Sequence, residues 1–88
     1  MLFISLHRFR MKPTKESLAE SSRVGEVAKK EGVKLLGVYW TLGRYDSVAV
    51  WEAKDERTMM KALLRWGDML STETLVAVPR EEALKLLG

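Results

Sequence analysis

The sequence contains no cysteine, no asparagine, no glutamine and one histidine. Without thiols there is no disulfide, no iron–sulfur cluster and no thiolate metal site. A single histidine cannot build a histidine-cluster zinc site, and carboxylates alone would suit only a hard ion, so neither metal nor cofactor is expected. The loss of all three thermolabile types beside 31% charged residues is the composition of a heat-adapted, thermostable protein, against which the five methionines argue mildly. Long apolar runs are missing too. Nothing approaches the ~18 residues needed to cross a membrane. Met1 leads into a short apolar run with no basic segment before it and no small-residue cleavage site after it, so the expected compartment is the cytoplasm. The glycines at 25, 32, 37, 43 and 67 are scattered, which leaves no phosphate-cradling loop.

What is present fits one domain spanning 1–88. Apolar residues make up 47% of the chain, more than a lone small core needs, and the surplus points to an interface. The formal charge is +3, and Arg8, Arg10, Lys12 and Lys15 crowd four of the fifteen bases into one short stretch. Such a cluster can meet an anion, although a solvated strand-to-helix loop accounts for it more simply.

Met1 to Phe9 sets Leu2, Ile4 and Leu6 against Phe3, Ser5, His7 and Phe9, a period of two that predicts a strand. Pro13 ends it, and a helix begins near Thr14 to Ser17, where Ser17 and Glu20 match a capping box and Gly32 is placed to close the helix. Val33 to Leu42 and Ser47 to Ala53 read as strands around turn chemistry at Gly43 to Asp46. Asp55 can cap a second helix with Met59, Ala62, Leu63 and Trp66 on one stripe and Gly67 as its stop. Thr72 to Val78 is the last strand. Pro79, followed by Glu81 and Glu82, opens a short C-terminal helix.

The order βαββαβ with right-handed crossovers gives an α+β, ferredoxin-like fold: a four-stranded antiparallel sheet with both main helices on one face. The second face would then be bare. Phe3 and Phe9 lie opposite Leu2, Ile4 and Leu6, and the hairpin is apolar at both parities, so something must cover that face. A second copy stacked about a twofold axis, forming a dimeric α/β barrel, is the expected cover; a higher oligomer is compatible with it.

The stretch "YWTLGRYDSVAVWEA" at 39–53, followed by a capped helix and "STETLVAV" at 71–78, resembles the GYD-domain family. In that family a Gly-x-Tyr-Asp turn sits in the hairpin of a small α+β domain, and Gly43, Tyr45 and Asp46 fill those places with Arg44 at the variable position. The resemblance implies the fold and brings no reaction with it. The pattern is also similar to the ligand-sensing domain of the leucine-responsive regulator family, whose members form dimeric barrels and bind small effectors at subunit interfaces. The DNA-binding helices of those regulators are missing from this sequence, which weakens any expectation of a regulatory role.

Fold alone does not decide function. An RNA-recognition motif needs exposed aromatics in a basic-glycine-aromatic segment on its third strand, where this chain reads "DSVAVWEA", so no nucleic-acid partner is expected. An acylphosphatase-like enzyme would share the order of elements, but that family uses a catalytic asparagine. The remaining constellation is His7, at the parity of Phe3 and Ser5 on the presumed bare face, with Tyr39, Thr41, Arg44, Tyr45, Asp46 and Trp51 of the hairpin. These are candidate ligand-binding residues for a small anionic or aromatic molecule held between the sheet and a partner. Tyr and Trp are equally what dimer interfaces prefer, and an Asp after a turn often caps backbone amides. Three classes stay open: a ligand-binding homodimer, a cofactor-independent enzyme using His7, Tyr39 or Asp46, and a structural subunit.

Overall fold

The structure, a computed structural model, describes residues 1–66 and 70–88. Strand β1 (Leu2–Phe9) leads into helix α1 (Lys15–Lys30), the hairpin β2 (Val33–Trp40) and β3 (Ser47–Ala53), helix α2 (Glu56–Leu63) with a 3₁₀ turn (Leu64–Trp66), strand β4 (Leu70–Ala77) and helix α3 (Arg80–Lys85). The sheet is antiparallel with spatial order β2-β3-β1-β4, the ferredoxin-like arrangement read from the sequence.

The helix ends follow local chemistry. Thr14 caps α1 by accepting the Ser17 amide at 3.1 Å, and the Ser17 hydroxyl accepts the Thr14 amide at 2.8 Å. The capping box is therefore Thr14 to Ser17, one turn earlier than the Ser17–Glu20 pair the sequence suggested, because a Ser can fill the third position as well as a Glu. Gly32, at φ +87°, closes α1 as expected. Asp55 caps α2, its Oδ1 accepting both the amide and the hydroxyl of Thr58. Those bonds, the hydroxyl's first, hold the Asp55 carboxyl below its ordinary value. Gly67, expected to stop α2, lies outside the described residues.

The core corrects the assignment of sheet faces. Phe3, Ala49, Trp51, Ala53 and Val33 cluster with Ala28 of α1 and Met59 and Ala62 of α2. In register, Phe3 faces Trp51, Ser5 faces Ala49 and His7 faces Ser47. Phe3, Ser5, His7 and Trp51 thus lie beneath the helices, while the open face carries Leu2, Ile4, Leu6, Val48 and Val50. Alternation shows that two faces exist, yet when both are apolar it does not say which one the helices choose. Residue size decides it here: Ser5, Ser47, Ala49 and Ala53 leave room for helices that approach with Ala28 and Ala62.

A register shift between Leu35 and Gly37 has a further consequence. The bulge changes the parity of β2, so that Val33 and Leu35 before it, and Val38 and Trp40 after it, all share the covered face. Tyr39 is sent to the open face, where its ring lies over Gly37; a β-carbon on Gly37 would stand 3.0 Å from the Tyr39 hydroxyl oxygen.

Candidate functional site

Under the helices, a chain of polar side chains crosses the apolar core. Trp51 donates its indole N–H to Ser5 Oγ at 2.8 Å. His7 Nε2 stands 2.8 Å from the same oxygen, and His7 Nδ1 stands 2.8 Å from Ser47 Oγ. Ser5, His7 and Ser47 are all buried, and burial lowers the imidazole below its ordinary pKa of 6.5. His7 is therefore neutral near pH 7, with one ring nitrogen donating and the other accepting.

His7 and Ser47 form the floor of a pocket of about 530 Å³ between the sheet and α1. Its walls are apolar: Phe9, Leu18, Val24, Leu35, Ala49 and Trp51 line it, with Val38 and Trp40 on the edge strand. Phe9 and Trp40 meet edge to face, ring centroids 5.2 Å apart. Two cations reach the lining, Lys12 from the loop after β1 and Arg65 from the 3₁₀ turn. Arg65 is held by Glu31 at 2.6 Å. An apolar enclosure of this size with few polar groups on its floor has the usual form of a small-molecule site.

The seven residues expected to form one site separate onto two faces. His7 and Trp51 belong to the covered pocket. Arg44 and Tyr45 line a shallow groove at the open face with Arg8 and Glu73. There the Tyr45 hydroxyl donates to Glu73 Oε2 at 2.6 Å and the Arg8 guanidinium lies 5.6 Å from the ring centroid. The hydrogen bond to Glu73, more than burial, pushes the Tyr45 phenol above its ordinary pKa. Tyr39 is exposed on the same face. Thr41 and Asp46 hold the hairpin: the Thr41 hydroxyl donates to the Tyr45 carbonyl at 2.7 Å, and Asp46 Oδ2 accepts the Phe9 amide at 2.7 Å while the Asp46 amide donates to the His7 carbonyl at 2.8 Å. Gly43 stands at φ +107° with nothing within 4 Å of where a β-carbon would be.

Each position of the Gly-x-Tyr-Asp turn thus has a role. The glycine supplies a backbone that side chains resist, the tyrosine ties the hairpin to β4, and the aspartate ties it to the end of β1. Sequence reasoning missed Ser47 and Lys12 as lining residues. Ser5 and Ser47 left a signal, two small hydroxyls in otherwise apolar strands, which becomes legible only once register places them on either side of His7. Among the described residues no group of three or more potential ligands could hold a metal ion, and no helix is long and apolar enough to cross a membrane.

Compared with known proteins, the chain matches the GYD-domain family over residues 3–87. No curated protein matches it.

Proposed function

The chain belongs to the GYD-domain family, and from that premise we propose that it is a homodimeric small-molecule-binding protein whose ligand lies in the pocket beneath α1. The observation that carries this reading is the pocket itself, about 530 Å³ with apolar walls and a hydroxyl–imidazole floor. A packed interior does not leave such a space without use, since each unfilled gap forfeits contacts. Aromatic walls favour a flat ligand, and Lys12 at the rim favours one with anionic character. Binding is a better reading than acid–base catalysis because both nitrogens of His7 are already engaged by serine oxygens, which leaves a substrate no free nitrogen to meet.

The second copy covers the open face. Leu2, Ile4, Leu6, Val48 and Val50, all partly exposed, form its centre and the more exposed Leu75 and Tyr39 extend it, a contiguous apolar face of the kind that associating proteins bury. Its two ends carry both signs of charge, Lys34 paired across strands with Glu52 at one end and Arg8 and Arg44 with Glu73 at the other. A twofold axis can therefore match each end to itself in a second copy.

A thermal-shift screen of small aromatic acids, phenols and ketones tests the binding claim on wild type and on Val38→Trp. Val38 lines the pocket from a half-exposed edge position, so the bulkier ring fills the space without displacing the core. Compounds that stabilise wild type and not the variant support the pocket. Compounds that stabilise both equally, or none at all, remove it.

A further inference from the structure

We infer that the polar floor is wired in one direction, so that the Ser47 hydroxyl is a donor without an acceptor among the described residues, and that the pocket selects ligands carrying a carbonyl or carboxylate oxygen to receive it. This rests on the pocket reading above and adds the chemical class of its ligand.

The direction follows from proton counting. The indole N–H of Trp51 can only donate, so Ser5 Oγ accepts from it. A neutral imidazole has one N–H, which allows two arrangements. In the first, the Ser5 hydroxyl donates to His7 Nε2, and Nδ1–H donates to Ser47 Oγ. In the second, Nε2–H donates to Ser5, and the Ser47 hydroxyl donates to Nδ1. The second arrangement leaves the Ser5 proton with nothing to bond. Ser5 is 0% exposed, and His7 and Trp51 are its only side-chain partners among the described residues. Thr74, its cross-strand neighbour on β4, keeps Oγ1 buried and unpartnered and so is out of reach of Ser5. An enclosed hydroxyl proton without an acceptor is costly, whereas the first arrangement satisfies Ser5 completely.

The first arrangement transfers the open position to Ser47. Its oxygen accepts from His7, and its own proton is left over. Ser47 lines the pocket, so that proton is available to whatever the pocket holds. A hydrocarbon there would leave the donor unmet, while an acceptor oxygen completes a chain running from Trp51 to the ligand. His7 acts as a positioning residue, because it fixes which way the Ser47 hydroxyl turns.

Two measurements test this. His7 is the only histidine, so the nitrogen chemical shifts of its ring in the labelled protein at pH 7.5 read the tautomer without ambiguity. The proton is expected on Nδ1; a proton on Nε2 overturns the inference without touching the pocket. The second measurement is a titration of wild type, Ser47→Ala and Lys12→Met with 2-acetylnaphthalene, 2-naphthoate and 2-ethylnaphthalene. The ketone should bind wild type about tenfold more tightly than the hydrocarbon of the same shape, the difference one hydrogen bond makes. Ser47→Ala should erase that difference and leave the hydrocarbon's affinity unchanged, which also shows that the variant is folded. If ketone and hydrocarbon bind wild type equally, the class assignment fails and the pocket stands; if none of the three binds, the pocket reading fails with it. Preference for the naphthoate over the ketone, lost in Lys12→Met, identifies the acceptor as a carboxylate, and equal binding of the two identifies it as a carbonyl oxygen.

Discussion

The two faces of the sheet are built from the same strands by alternate residues, and the face that the chain leaves uncovered is the more aliphatic of the two. On β1 and β3 the covered face carries Ser5, His7 and Ser47 among Phe3, Ala49 and Trp51, and it holds the buried polar side chains of the described core. The open face carries Leu2, Ile4, Leu6, Val48 and Val50 and no polar atom at its centre. Hydrophobicity therefore did not select the face under the helices. Small residues did, by allowing close approach, and a cavity remains beside Ser47 and Ala49. Uniform branched aliphatics make a flat, interlocking surface, which suits a second sheet better than a helix.

The contrast can be broken most severely from the covered side. Trp51 is 3% exposed, packs in the core and donates to Ser5. Trp51→Ala should lower stability by about 3–5 kcal/mol, read as a shift in the urea midpoint. On the open side, Val50→Asp should act differently. It places a charge on the face proposed to meet a second copy, so sedimentation at micromolar concentration should give a monomer, with far-ultraviolet dichroism retained. If Val50→Asp sediments as wild type does, the open face is not the interface; if Trp51→Ala melts like wild type, the assignment of faces is wrong.

Much of this was legible beforehand, and the missing part has a physical cause. The order of elements, the Asp55 cap, the role of Gly32 and the hairpin turn were readable because each rests on local chemistry. Which parity of β1 faces the helices was not, because Leu2, Ile4, Leu6 and Phe3, Phe9 are apolar alike. The bulge at Leu35–Gly37 was silent too, and it brings Val38 and Trp40 to the covered face and sends Tyr39 to the open one. A one-residue shift of this kind turns a candidate set inside out, which is why Tyr39 separates from His7 and Trp51.

A moderate effect is expected where the faces are joined, at the turn. Gly43→Val puts a branched side chain at φ +107°, with no clash to relieve, a backbone strain of about 1–3 kcal/mol. Asp46→Asn keeps shape and removes charge from the acceptor of the Phe9 amide, which should cost about 1–2 kcal/mol. Urea titrations of both variants check these values. A cost near zero for Asp46→Asn would free Asp46 from its part in holding β1 to the hairpin and restore it as a candidate ligand-binding residue.

The smallest effect separates the faces by pH. Burial lowers the pKa of His7 below 6.5 in the folded chain, while the unfolded chain keeps a value near ~6.5. Between those two values the unfolded state binds more protons than the folded state, so stability rises with pH there. The contribution of a neutral imidazole is thus full above pH ~6.5, is lost as pH falls toward the folded value, and levels once His7 is protonated in both states, with a slope no steeper than about 1.4 kcal/mol per pH unit. No other histidine is present, and ordinary carboxylates titrate mainly below pH ~5, so the interval between belongs to this group. Melting temperatures should fall for wild type between pH 7 and 5.5 and stay level over the same interval for His7→Gln, whatever that variant's starting stability. Wild type that is flat across this interval would mean that water reaches the imidazole when protonated, and the covered face would then lose its distinction as the enclosed side of the sheet.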